Sequence, residues 1–107
     1  MTSILIVEDD KELSLLFQKV LEKSGYQVKS ASDGAQALEV LDREYIDLII
    51  SDIMMPVMDG IEAAKAIRAL PEDKYQKLPI IALTANAMVD ARKEFLNAGM
   101  NGFVAKP

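Results

Sequence analysis

Two short stretches hold the residues best suited to chemistry. In "ILIVEDD" an apolar run breaks on Glu8, Asp9 and Asp10, and in "LIISDIMMPVMDG" a second apolar run breaks on Asp52. A third run, "PIIALT", ends on the hydroxyl of Thr84, and a fourth, "GFVAK", on the ammonium of Lys106. Carboxylates held together repel: two unit charges about 4 Å apart at an effective dielectric of about 20 cost roughly 4 kcal/mol. Such a cluster must share protons or bind a cation. The chain has no histidine and no cysteine, which removes Ser-His and Cys-His pairs and the usual ligands of zinc, copper and iron. Only oxygen ligands remain, and an oxygen site with room for water suits Mg²⁺. A carboxylate beside an ammonium, a hydroxyl and a dication can act as a nucleophile toward a phosphoryl group. Asp52 is the candidate for that role.

This chemistry requires the four chain segments to meet. The pattern alternates short apolar runs with helical periodicity. Strands are expected at 3–7, 27–31, 46–51, 79–84 and 102–106, and helices at 11–25, 33–44, 59–70 and 88–99. The segment "PEDKYQKL", 71–78, reads as a polar loop. Strict alternation with fully apolar strands predicts an α/β fold, a parallel sheet covered by helices on both faces. All strands of a parallel sheet point the same way, so Glu8, Asp9, Asp52, Thr84 and Lys106 fall on one rim. The second strand, "QVKSA", is more polar and ends without a chemical group, as an edge strand would.

At 107 residues the chain is a single domain, 1–107. A net charge of −5, with basic residues scattered, argues against a nucleic-acid surface. No apolar run is long enough to span a bilayer, which makes a soluble cytoplasmic protein the default.

Along the first helix Leu13, Leu16, Phe17 and Val20 share the spacing of a buried face, with Leu15 nearly opposite. Asp10 fits a helix cap better than a metal ligand. Phe103 fits a core position as well as a moving one. Met54, Met55 and Met58 read as packing beside the site.

Five motifs in order, "ILIVEDD", "ASDGAQAL", "DLIISDIMMPVMDG", "PIIALTANA" and "AGMNGFVAKP", resemble the receiver domain of response regulators in two-component and phosphorelay signalling. The wording of "MPVMDGIEA" and "LTANAM" is similar to receivers of hybrid sensor kinases. The resemblance implies a doubly wound, flavodoxin-like five-stranded sheet of order 2-1-3-4-5. It makes Asp52 the phosphoacceptor, and Asp9, Glu8, Asp52 and the Met54 backbone carbonyl the Mg²⁺ ligands. Thr84 would contact the phosphoryl group and, with Phe103, form the switch. Lys106 would pair with the phosphoryl group, with a cis bond to Pro107. The donor would be a histidine kinase or a histidine phosphotransfer domain, docked through Leu15. Such a domain is a signalling phosphoacceptor that catalyses its own phosphorylation and dephosphorylation, and not a metabolic enzyme.

Two alternatives share the topology. An aspartate-nucleophile phosphohydrolase would need a second Asp two residues after the nucleophile, where this chain has Met54. A flavin module would need neutral donors where Glu8, Asp9 and Asp10 stand. Receivers also carry a fifth helix after the Lys-Pro step, and this sequence stops at Pro107. The sheet face beside the first helix is therefore expected to be partly bare and open to self-association.

Overall fold

Five parallel strands form one sheet in the order β2-β1-β3-β4-β5. The computed structural model describes residues 2–52, 60–84 and 96–105. The strands are β1 (Ser3–Val7), β2 (Gln27–Ala31), β3 (Leu48–Asp52), β4 (Ile80–Thr84) and β5 (Gly102–Ala105). Helices α1 (Lys11–Lys23), α2 (Gly34–Arg43), α3 (Gly60–Arg68) and the short α4 (Asp73–Lys77) lie between them. The chain reverses its order of travel at β1, since β2 lies on one side of it and β3 on the other. β2 is an edge strand, as its polar sequence suggests.

Helix starts follow local chemistry. Asp10 caps α1, its carboxylate accepting from the amides of Glu12 (3.0 Å) and Leu13 (3.2 Å). Asp33 caps α2 by accepting from the Gln36 amide at 2.9 Å. α1 stops at Gly25, whose φ of +93° lets its amide reach Glu22 O while the Tyr26 amide reaches Leu21 O.

The main core lies on one face of the sheet. Leu5, Val7, Ile49, Ile80 and Ala82 meet Ala37, Val40 and Leu41 of α2 and Ala64 and Ile67 of α3. Residues at alternate positions point to the opposite face. There Ile4 and Ile6 are fully buried, Ile50 and Ile81 are half-buried, and Val104 is exposed. Leu83 of β4 is also buried there, so among the described residues the cover is thinnest at Val104 of β5. Among the described residues no helix follows β5.

Three expectations need correction. β3 begins two residues later than expected and includes Asp52 as its last residue, paired with Leu83 of β4. Residues 73–77 form α4, where a polar loop was expected. Its one apolar anchor is Tyr75, buried with its hydroxyl donating to Leu41 O at 3.2 Å and its carbonyl accepting from Arg68 Nη1 at 2.7 Å. A single anchor leaves no periodicity to read.

The third concerns α1. Leu16 (52% exposed) and Val20 (54% exposed) are not buried, and Ser14 is the buried residue of the helix. Leu13, Phe17, Gln18 and Leu21 are half-buried. The helix rests on β1 and β2, with Ser14 on its buried side. The helix expected at 88–99 lies largely outside the described residues. Its end is seen at Gly99, with φ +96° and an amide bonded to Leu96 O. Among the described residues no helix is long and apolar enough to cross a membrane.

Candidate metal centre

The sheet carries two of the carboxylates to the rim as direct extensions of its strands. The Glu8 amide donates to Ala31 O at 3.0 Å, which prolongs the β1–β2 ladder by one step and fixes where the side chain starts. Asp52 is held in register against Leu83, and neighbouring Ser51 turns its hydroxyl to Asp52 O at 3.1 Å. Both acids are buried, Glu8 at 2% exposure and Asp52 at 1%, while Asp9 is exposed.

Glu8, Asp9 and Asp52 each offer one carboxylate oxygen within 4.8 Å of the other two. Asp10 is turned away, occupied with the first turn of α1, and its amide donates to Glu8 Oε2 at 3.3 Å. The convergence expected from sequence therefore holds for these three acids, and Asp10 is a cap.

Three acids so close cannot all ionise without compensation. Burial is the main cause that pushes the Glu8 carboxyl up to about 7. Hydrogen bonds shared with Asp52 and Asp9 raise it further, as does the Asp52 charge, and the Asp10 amide opposes them. Near neutral pH a proton on Glu8 thus does part of the work that a cation would do. The donor set fits a hard dication. Three carboxylate oxygens within 4.8 Å of one another, with no nitrogen or sulfur ligand among them, are the kind of set that would hold Mg²⁺. An exposed Asp9 leaves one side open to water or substrate.

The other expected residues divide. Thr84 ends β4, next to β5 at Ala105, so the strand carries it to the same rim. Met54, Lys106 and the Lys106–Pro107 bond lie outside the described residues. Phe103 is half-buried against the main core cluster, as its core reading anticipates. Leu15 is 53% exposed on α1.

A groove of about 320 Å³ leads from Glu8 along α1, with Lys11, Ser14, Leu15 and Gln18 on one wall and Ser30 to Ser32 on the other. Ser14 and Gln18 are joined there, Gln18 Nε2 donating to Ser14 Oγ at 3.1 Å. Reasoning from sequence singled out only Leu15. The spacing of 11, 14, 15 and 18 puts all four on one helix face and was the available signal.

Comparison with known proteins gives a consistent result. The family model of the response regulator receiver domain matches residues 4–107. The sensor protein GacS of Pseudomonas syringae pv. syringae is 39% identical over 105 residues, covering 97% of this chain. The chain spans only 12% of that protein's length. Among solved structures, the chemotaxis protein CheY4 of Vibrio cholerae superposes with a TM-score of 0.94 at 34% identity, covering 100% of this chain and 88% of that one. The receiver domain of sensor histidine kinase PA1611 from Pseudomonas aeruginosa PAO1 gives a TM-score of 0.87 at 40% identity, covering 99% and 85%. That structure has a magnesium ion coordinated in its active site cleft.

Proposed function

The chain belongs to the response regulator receiver domain family, and on that premise we propose that Asp52 accepts a phosphoryl group from a histidine of a separate donor in a Mg²⁺-dependent reaction. The observation that carries this reading is the meeting of Glu8, Asp9 and Asp52 within 4.8 Å, with Asp52 buried at the end of a central strand. The magnesium ion in the related PA1611 receiver supports the choice of cation.

In the proposed step one Asp52 carboxylate oxygen attacks phosphorus and forms an acyl phosphate. The bond from phosphorus to the donor's imidazole nitrogen breaks, and its electron pair stays on that nitrogen. This chain has no histidine, so the donor is another domain or another protein, a histidine kinase or a histidine phosphotransfer domain. The dication, when bound, offsets charge on the phosphoryl oxygens. Glu8, Asp9 and Asp52 would hold it, and the Met54 carbonyl would add a ligand. Lys106 pairs with the phosphoryl group, and the Thr84 hydroxyl bonds to it and follows it. Phe103 changes packing with Thr84, which spreads the change to the outer side of β5.

Leu15 and its groove form the donor's docking wall, beside the acids and outside the core. GacS, a sensor protein of which the matched region is a small part, supports a receiver of the hybrid-kinase kind. A phosphohydrolase would need an acid at position 54, where Met54 stands.

Intact-mass measurement with acetyl phosphate tests the proposal. One phosphoryl adduct is expected with Mg²⁺, and none with a chelator or in Asp52→Asn. Undiminished incorporation in either control would refute the assignment of Asp52 or of the cation.

A further inference from the structure

The carboxylate rim uses the ends of the strands, and a second cavity lies at the opposite rim, where β3 and β4 begin. It encloses about 300 Å³ between the C-terminal turn of α2, the 45–47 connection and α4. Its apolar lining includes Leu41, Ile46, Leu78 and Tyr75, all buried. Tyr75 is fixed from two sides, by its hydroxyl on Leu41 O and by Arg68 on its carbonyl. Also lining the cavity is Tyr45, at 71% exposure the most exposed large apolar side chain among the described residues. An aromatic ring left in water beside an apolar cavity is a stacking surface without a partner among the described residues.

The charged groups around this cavity are not equivalent. Asp47 Oδ2 accepts from the Ser3 amide at 2.7 Å, and Glu44 faces Lys29 at 4.0 Å. Lys74 pairs with Glu72 at 3.4 Å and lies 5.0 Å over the Tyr75 ring. Lys77 lines the cavity with no carboxylate within 4.0 Å among the described residues. Both acids thus have structural partners, and one ammonium is available to a ligand.

We propose that this cavity binds a small planar aromatic carboxylate, its ring between Tyr45 and the apolar lining and its anionic group at Lys77. The site is independent of the phosphoacceptor reading, because it shares no residue with the carboxylate rim.

The test is a titration of the ¹⁵N-labelled chain with indole-3-acetate and, separately, with neutral indole-3-acetamide. Saturable shifts are expected at residues 41–47 and 74–79, with Glu8, Asp9 and Asp52 unmoved. At the efficiency of drug-sized ligands, a probe of this size should bind with a dissociation constant on the order of 1 mM. The acetate should bind about two- to fivefold tighter than the amide, the range of an exposed ion pair. In Lys77→Gln, an exposed substitution that leaves the core intact, that ratio should fall to about one. Tyr45→Ala should weaken both probes alike. No saturable shift up to roughly ten times the expected constant would overturn the proposal. So would shifts centred elsewhere, or an unchanged ratio in Lys77→Gln.

Discussion

Replacing Glu8 by glutamine should stabilise the metal-free protein at neutral and alkaline pH and leave it unchanged in acid. Glu8 titrates near 4.5 when unfolded and near 7 in the folded chain, chiefly because of burial. Between those values the folded state keeps a proton that the unfolded state has released. Unfolding free energy then falls as pH rises. The stabilising contribution of the protonated acid is complete below about 4.5, declines through the interval and is gone above about 7. At about 1.4 kcal/mol per unit, the full decline is at most about 3 kcal/mol.

The Glu8→Gln variant has no titrating group at this position, so its difference from wild type should be near zero at about pH 4 and grow toward about pH 8 without exceeding that bound. For a domain of this size that corresponds to roughly 10–20 °C in midpoint temperature. Urea unfolding followed by circular dichroism across this pH range, in the presence of a chelator, measures the difference directly. Millimolar Mg²⁺ should remove most of the wild-type decline, since a cation that binds only the folded, ionised cluster stabilises it by mass action. It should affect the variant less. A difference that stays flat across the range would refute the argument that Glu8 holds the proton of the empty cluster.

Leu15→Ala should slow phosphotransfer from a histidine donor and leave labelling by acetyl phosphate unchanged; rates with the two donors decide it, and equal slowing would make Leu15 merely structural. Gly99→Ala should cost more stability than Gly25→Ala in thermal unfolding. Both sites have φ above +90°, worth about 1–2 kcal/mol, but a Cβ at Gly99 would stand 2.7 Å from Arg68 Cγ whereas Gly25 faces open space. Self-association through the thinly covered face, where Leu16, Val20 and Val104 are about half exposed, should raise the sedimentation-average mass with concentration. Val20→Glu should abolish that rise, and a constant monomer mass in wild type would show that water tolerates the face.

The sequence by itself determined the class of fold, the direction of the strands and the rim on which the acids meet. Those properties depend on period and alternation: apolar runs too short for helices, helical stripes between them, and Gly25 and Gly99 as stops. A parallel sheet then leaves no freedom about which end of each strand is shared. The absence of histidine and cysteine narrowed the metal to a hard one before any geometry was known. Asp10 was legible as a cap because capping is a local matter of a few residues.

Only the tertiary structure decided what covers what. Leu16 and Val20 have the spacing of buried residues, yet burial depends on which side meets a neighbour, and β1 with β2 covers the Ser14 side instead. α4 was hidden because Tyr75 is anchored by α2 and by Arg68, at positions 34 and 7 residues away in the chain. The acidity of Glu8 was equally out of reach. Its proton is held by burial and by Asp52, and two acids far apart along the chain share a hydrogen bond only when β1 and β3 lie side by side.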